Sequence, residues 1–376
     1  VRTKDVLIIG AGAAGSTAAF HLAKAGNNVT LLEQHSKENL KPCGGGMAAA
    51  VQEWFPFDLM PVVDEVINRV DFTWCLSDLV IAPLPGSSPF WIVQREKLDS
   101  FITEQAINAG AELLRPFKVT NLQKHGNYWQ VTSKDGQQLE AKAVVIADGS
   151  RSPWPEMFGL GPKKQHYAFT TSVRLEGRGN IEKGTTKFEF GLVHHGFAWA
   201  FPLAKGVNVG IGSFIGQQAL NSDAVLDKLL PSLGFDAKEG NRKDSLLRVW
   251  NGHSPLNGDG IVVVGDAGSL CDPFLAEGLR PALMSGYEAA NSLNYWLKGD
   301  NKNLNDYTNK IQREWGDSMA WGRRISQVFY RFPKVGYQLG IKRPTAPQRI
   351  AEILSGKLGY GDIATRVIRR LLFKRT

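Results

Sequence analysis

The chain has 376 residues, 43% hydrophobic and 21% charged, with a formal net charge of +8. That length exceeds what one simple core serves and suits two domains, or one nucleotide-binding domain with a large insertion. Its three cysteines, Cys43, Cys75 and Cys271, are far apart and form no CxxC pair, which excludes a disulfide framework and a zinc site and leaves a reducing, cytoplasmic setting with no metal as the expectation.

The first element reads as a strand from Asp5, "DVLIIG", with no room for a signal peptide before it. No apolar run reaches the ~18 residues that span a bilayer. The strand runs into Gly10-Ala-Gly12-Ala-Ala-Gly15 and then the helical stretch "STAAFHLAKAG". Gly10 permits a tight turn, Gly12 lets backbone amides reach a pyrophosphate, and Gly15 allows close helix-to-strand contact. A second strand, "NVTLLE", ends at Glu33, whose carboxylate can accept hydrogen bonds from adenosine ribose hydroxyls. Strand, turn, helix, strand and terminal acid in register predict a dinucleotide site, without separating FAD from NAD(P).

Next comes "KPCGGGM", residues 41–47, in which Gly44, Gly45 and Gly46 make a backbone that is costly to order. Something approaches it too closely for side chains. Two further stretches come next, "VQREKLDSFITEQAINAGAELL" with Arg95 and "AVVIADGSRSP" with Asp148 and Gly149. Roughly 100 residues of strand-like alternation follow, as an inserted antiparallel sheet would show. Within them Phe188 and Phe190 share one strand face, and Phe197, Trp199 and Phe201 share another. The aromatic face suits either a sheet core or the wall of a site for a long apolar chain. His194 and His195 stand just before it at a turn, either as surface residues or as proton donors.

A Gly-Asp pair, Gly265-Asp266, stands in "VVVGDAGSLCDPFLAEGLRPALMSG", residues 262–286. Beyond residue 300 the stretch "DSMAWGRRISQVFYRF" reads as an aromatic-rich helix that covers a tunnel mouth or docks to a membrane. Residues 341–376 carry nine Lys/Arg against two acids. At 100° per residue Ile363, Val367, Ile368, Leu371 and Leu372 fall on one half of the tail's helical wheel, opposite Arg366, Arg369 and Arg370. Such a tail either lies on an anionic membrane or packs on its own protein. Nucleic acid is not an expected partner, because no basic stretch is interleaved with stacking aromatics.

In order and spacing these stretches resemble the FAD-dependent oxidoreductases of the para-hydroxybenzoate hydroxylase type, and among them the geranylgeranyl reductase family. The resemblance implies an α/β fold: a Rossmann-type FAD-binding domain with an inserted antiparallel β-sheet substrate domain and a C-terminal helical segment. The expected division gives 1–75, 90–165 and 255–300 to FAD, 76–89 and 166–254 to substrate, and 301–376 to the helical region. It further implies that Arg95 contacts the flavin or its pyrophosphate, that Asp148 lies beside the cofactor, and that Asp266 binds the ribityl chain. Glu277, Gly278 and Leu279 would line the flavin, with the Leu279 helix directed at its pyrimidine. The family's Pro-Cys-Gly-Gly-Gly segment lies against the flavin, which places Cys43, Gly44, Gly45 and Gly46 there and makes Cys43 a catalytic candidate.

"GFAWAFP" resembles the family's Tyr-x-Trp-x-Phe-Pro motif, with Phe197 in place of the tyrosine and Trp199 as a second catalytic candidate. Ala276 stands where the family has glycine. The activity implied is reduction of prenyl-chain double bonds by reduced FAD, the flavin being re-reduced by transiently bound NADPH or another donor. The partners implied are a hydrophobic prenylated substrate held by Phe188, Phe190, Phe197, Trp199 and Phe201, and a peripheral membrane contact through the basic C-terminal helix. The alternatives on this fold are an aromatic monooxygenase or halogenase and a flavin-dependent carotenoid cyclase.

Overall fold

The computed structural model describes residues 3–36, 41–84, 86, 89–214, 221–343 and 345–365. Its first layer grows from the opening strand. Val6, Leu7, Ile8 and Ile9 are buried, and such a continuous apolar run belongs inside a parallel sheet covered on both faces. Lys4–Ile9 pairs in parallel with Val29–Leu32 on one side and Gln138–Ile146 on the other. Glu112–Leu114 and Ile261–Val263 extend the sheet outward, again in parallel. The hairpin Val119–His125 with Tyr128–Ser133 is joined to Gln138–Ile146.

Ala13–Lys24 packs between Arg95–Asn108 and Leu279–Leu297. A Cβ on Gly286 would lie 2.3 Å from the Ala14 carbonyl oxygen, so the first and last of these helices meet backbone to side. Four chain segments therefore leave the parallel strands at their carboxyl ends beside one another: Gly10, Glu33, Asp148 and Asp266. In open α/β sheets this edge is where ligands bind.

The second layer is a seven-stranded sheet in the order 242–249, 166–176, 206–213, 196–203, 185–190, 69–74, 77–83. Its neighbouring strands are antiparallel except for 185–190 with 69–74, which run parallel. The exception has a cause in connectivity: Arg69–Trp74 enters the sheet from outside the insertion. The sequence boundary at residue 75 assigned that strand to the nucleotide-binding part, whereas it is hydrogen-bonded into the substrate-side sheet. A three-stranded sheet of Val63–Ile67, Phe90–Val93 and Gly46–Ala48 lies between the two larger ones in the chain.

Gly196–Leu203 and Gly206–Ser213 are buried along their whole length, because both faces are covered. Ala198 and Ala200 meet Leu226, Leu229 and Leu230 of Ser222–Ser232, while the aromatic residues point the other way. The C-terminal region forms Asn301–Ile311, a π-turn at Gln312–Gly316, Asp317–Arg331, Pro333–Gly340 and Ala346–Leu354. Phe329 and Tyr330 of the expected aromatic helix reach Phe190 and Phe214 at ring distances of 5.4 and 5.8 Å. Of the basic tail, residues 366–376 lie outside the described residues; Ile363, the described member of its expected apolar face, packs against the core. Among the described residues no helix is long and apolar enough to cross a membrane.

Gly286→Val should wedge the two helices apart. Overpacking of this kind costs about 1–3 kcal/mol, and it should appear as a lower thermal midpoint together with a smaller flavin content per chain.

Candidate cofactor and substrate cleft

The glycine-rich turn is built by contact before any ligand is considered. Gly10 has φ +104°, and a Cβ there would lie 2.5 Å from the Ala147 oxygen; one on Gly15 would lie 1.9 Å from the Gly10 oxygen. Gly12 differs, since a Cβ would meet only the tips of Asp99 and Arg95, at 3.8 and 3.9 Å. Its open side faces a cleft of about 1150 Å³, mouth included. Ala13–Lys24 has no side-chain cap and no acid in its first turn, so its amino-terminal amides are left for a ligand. Glu33 sits beside the turn, accepting hydrogen bonds from the amides of Ala11 (3.1 Å) and His35 (2.9 Å).

Arg95 is buried and reaches the cleft. Burial opposes its charge, but Asp99, at 2.8 and 3.1 Å, outweighs that and holds the guanidinium ionised above its ordinary range. Asp148 lies behind the cleft lining, with Oδ1 buried and unpartnered, and burial raises its pKa to about 6. Lys41 stands 3.6 Å from Asp266, and both line the cleft.

The triple glycine has a different explanation from the one its composition suggested. Gly45 has φ +81°, and a Cβ there would lie 1.9 Å from the Val93 oxygen; one on Gly46 would be 2.4 Å from the Phe90 ring, and one on Gly44 3.0 Å from Phe201. The strip is thus wedged between a strand and an aromatic wall of its own protein, and its remaining edge lines the cleft. Gly45 N–H donates to Cys43 Sγ at 3.3 Å, while Val93 N–H donates to the Gly45 oxygen at 2.9 Å.

Phe188, Phe197, Trp199 and Phe201 form the opposite wall, with Phe188 directly across from Trp199 in register. Phe190 is placed elsewhere: it packs among Phe72, Phe197, Phe329 and Tyr337, outside the cleft lining. Trp199, the second catalytic candidate, lines the cleft and is also tied into the sheet. Its indole N–H donates to Asn208 Oδ1 at 3.1 Å, and Asn208 Nδ2 donates to the Cys43 carbonyl at 3.1 Å, so the ring ties the glycine strip to the sheet. His194 is exposed and its ring stacks on His195; neither lines the cleft.

The far end of the cleft is made by the turn before Leu279–Leu297, a helix without a side-chain cap. Ala276 has φ +55°, a left-handed conformation that explains why glycine is the usual residue at such a position. Glu277 is buried and lines the cleft; its Oε2 pairs with Arg280 at 2.8 Å while Oε1 has no partner. Burial, opposed by Arg280 and reinforced by Asp272, raises its pKa to about 7. Arg280 stacks over Trp315, 4.9 Å from the ring, which the π-turn delivers. Asp272 accepts from the amides of Phe274 and Leu275 and from the Tyr360 hydroxyl at 2.6 Å, tying the C-terminal segment to this turn.

One cleft therefore unites Gly12, Cys43–Gly46, Arg95, Asp266, Glu277, Gly278 and Leu279 with four of the five aromatics; Gly10, Gly15, Glu33, Asp148 and Phe190 lie around it. Sequence reasoning missed Lys41, Asn208 and Arg280. Asn208 carried one faint signal, a lone amide in the otherwise apolar run "GVNVGIG".

Residues 4–176 match the family model described as pyridine nucleotide-disulphide oxidoreductase. A digeranylgeranylglycerophospholipid reductase of Methanocaldococcus jannaschii is 26% identical over 388 residues, covering 99% of this chain and 95% of the relative. The crystal structure of a geranylgeranyl bacteriochlorophyll reductase-like protein from Thermoplasma acidophilum superposes with a TM-score of 0.80 at 20% identity, covering 95% of this chain and 93% of that one. This chain is an FAD-dependent oxidoreductase related to the geranylgeranyl reductases. A flavin-dependent brominase has the same fold, with a TM-score of 0.74 at 17% identity over 98% of this chain and all of that one.

The residues fit FAD. Two uncapped helix amino termini open on one cleft, the Gly12 side is bare of side chains, and Lys41 and Arg95 supply positive charge for phosphates. In this oxidoreductase Asn208→Ala should leave the Trp199 indole and the Cys43 carbonyl without partners. The expected cost is about 1–3 kcal/mol, read by denaturant unfolding, with a shifted visible flavin spectrum because the strip against the cleft loosens.

Proposed function

We propose that the protein reduces carbon–carbon double bonds in a prenyl chain. The observation that carries this reading is the wall of Phe188, Phe197, Trp199 and Phe201 facing the Cys43–Gly46 strip across the cleft. A wall of four aromatic rings offers nothing that distinguishes a polar substrate, while each methylene buried against it contributes about 0.8 kcal/mol. The relatives named for digeranylgeranylglycerophospholipids support a substrate of this class. Gly10, Gly12, Gly15, Glu33, Arg95, Asp148 and Asp266 are assigned to the cofactor, with Gly278 and Leu279 at its far end.

When bound, reduced FAD supplies the two electrons as hydride, and NADPH or another donor restores them. An isolated alkene is a poor hydride acceptor, so a proton must reach the other carbon. We assign that proton to Glu277, which lines the cleft with one oxygen unpartnered. Arg280 holds the other oxygen, and Asp272, Tyr360 and Cys271 are the further titratable groups around it. With a pKa of about 7 the carboxyl carries its proton on the acid side of neutrality and loses it above. Cys43 then lies on the substrate side of the strip and shapes the cleft.

Two measurements test the proposal. Under anaerobic conditions the reduced flavoprotein mixed with geranylgeranyl compounds of different head groups should reoxidise with a product two hydrogens heavier. A flavin that stays reduced until oxygen enters would instead support a monooxygenase or halogenase, and an isomeric product of unchanged mass a cyclase. In single turnover the rate should fall as pH rises through about 7. Glu277→Gln should retain FAD, slow the step by about 10²-fold or more, and lose that pH limb.

A further inference from the structure

The helices that pack on Phe190 and Phe214 have a second face. On Asp317–Arg331 and Pro333–Gly340 the buried side chains are anchored: the Tyr330 hydroxyl donates to the Phe274 oxygen at 2.6 Å and the Tyr337 hydroxyl to the Asp78 oxygen at 2.6 Å. On the outside Val328, Phe332, Val335 and Leu339 are 67, 58, 55 and 53% exposed. Their spacing of four, three and four residues keeps large apolar groups on the outer side of two short helices joined at Phe332.

The stretch of chain that carries them holds cations and no acid, although Asp78 from the aromatic sheet approaches its inner side. No Asp or Glu occurs between Asp317 and Glu352, while Arg323, Arg324, Arg331, Lys334, Lys342, Arg343 and Arg349 do. Arg324, Arg331, Lys334, Lys342 and Arg343 are exposed; Lys342 is paired with Asp78 at 2.5 Å and Arg324 lies over Trp321. Exposed apolar side chains among cations, with acids excluded over this whole stretch, complement an anionic bilayer, whose acyl boundary takes the former and whose phosphates take the latter.

We infer that this face, centred on Phe332, Val335 and Leu339, docks the enzyme on an anionic membrane surface. It differs from the basic tail, and it does not depend on the identity of the substrate. The same two helices thereby meet the bilayer outside and pack on Phe190 and Phe214 inside.

The test uses the full-length, FAD-loaded protein with vesicles of equal parts phosphatidylglycerol and phosphatidylcholine, and with phosphatidylcholine alone. The wild type should sediment with the anionic vesicles, release at high salt, and leave the neutral vesicles largely unbound. The triple variant Phe332→Ser/Val335→Ser/Leu339→Ser and the pair Arg331→Gln/Lys334→Gln should each weaken partitioning by about tenfold or more, with flavin content and thermal midpoint unchanged. Undiminished binding in both variants would assign the membrane contact to another segment and overturn the inference, as would a wild type that ignores anionic vesicles. So would a dimer that the triple variant converts to monomer with no change in vesicle binding, which would make the face an interface between copies of the chain.

Discussion

A strip of three glycines holds the two halves of this enzyme at a fixed separation. Gly45 touches the Val93 carbonyl, Gly46 the Phe90 ring and Gly44 the Phe201 ring, so a single Cβ at any of them would push the strand, the ring or the strip aside. The distance from the Phe90–Val93 strand to the aromatic wall is thereby set by van der Waals contact rather than by a flexible loop. Asn208 and Trp199 complete the arrangement by hydrogen bonds that cannot stretch without orphaning a buried group.

The strand ends were legible because their chemistry is local. Gly10, Gly12, Gly15 and Glu33 lie within one strand–helix–strand unit, and the reasons for each residue type act over a few ångströms of nearby backbone. The Gly-Asp turn was legible for the same reason, and Ala276, which departs from the expected glycine, proves to occupy the left-handed conformation that makes glycine the usual choice. What stayed hidden was set by distant partners. Asn208 bonds a residue 165 positions away, and nothing in its own neighbourhood announces that. The triple glycine was noticed, but its closest neighbours come from two other strands, Phe90–Val93 and Gly196–Leu203, which no reading of spacing supplies. Phe190 shares the alternation of Phe188, yet the C-terminal helices claim its ring and remove it from the cleft.

The electrostatics at the far end of the cleft follow from the same layering. Glu277 is buried at the cleft's far end, and it is paired with one cation, Arg280. Arg280 in turn is held flat by Trp315, which a π-turn places between two helices. A carboxyl poised near neutrality thus rests on packing contributed from beyond residue 300, a region whose composition alone speaks only of aromatics and positive charge.

The junction between the sheets limits how the molecule can move. Val63–Ile67 belongs to the small sheet that carries Gly46–Ala48, and Arg69–Trp74 to the large aromatic sheet, with Asn68 alone between them. That residue is itself pinned, donating its amide to Gly184 and accepting from Leu84. A one-residue connection bonded on both sides has no slack for a hinge. The small sheet and the aromatic sheet are therefore coupled at this junction, and a displacement of one is passed directly to the other through the backbone of Asn68.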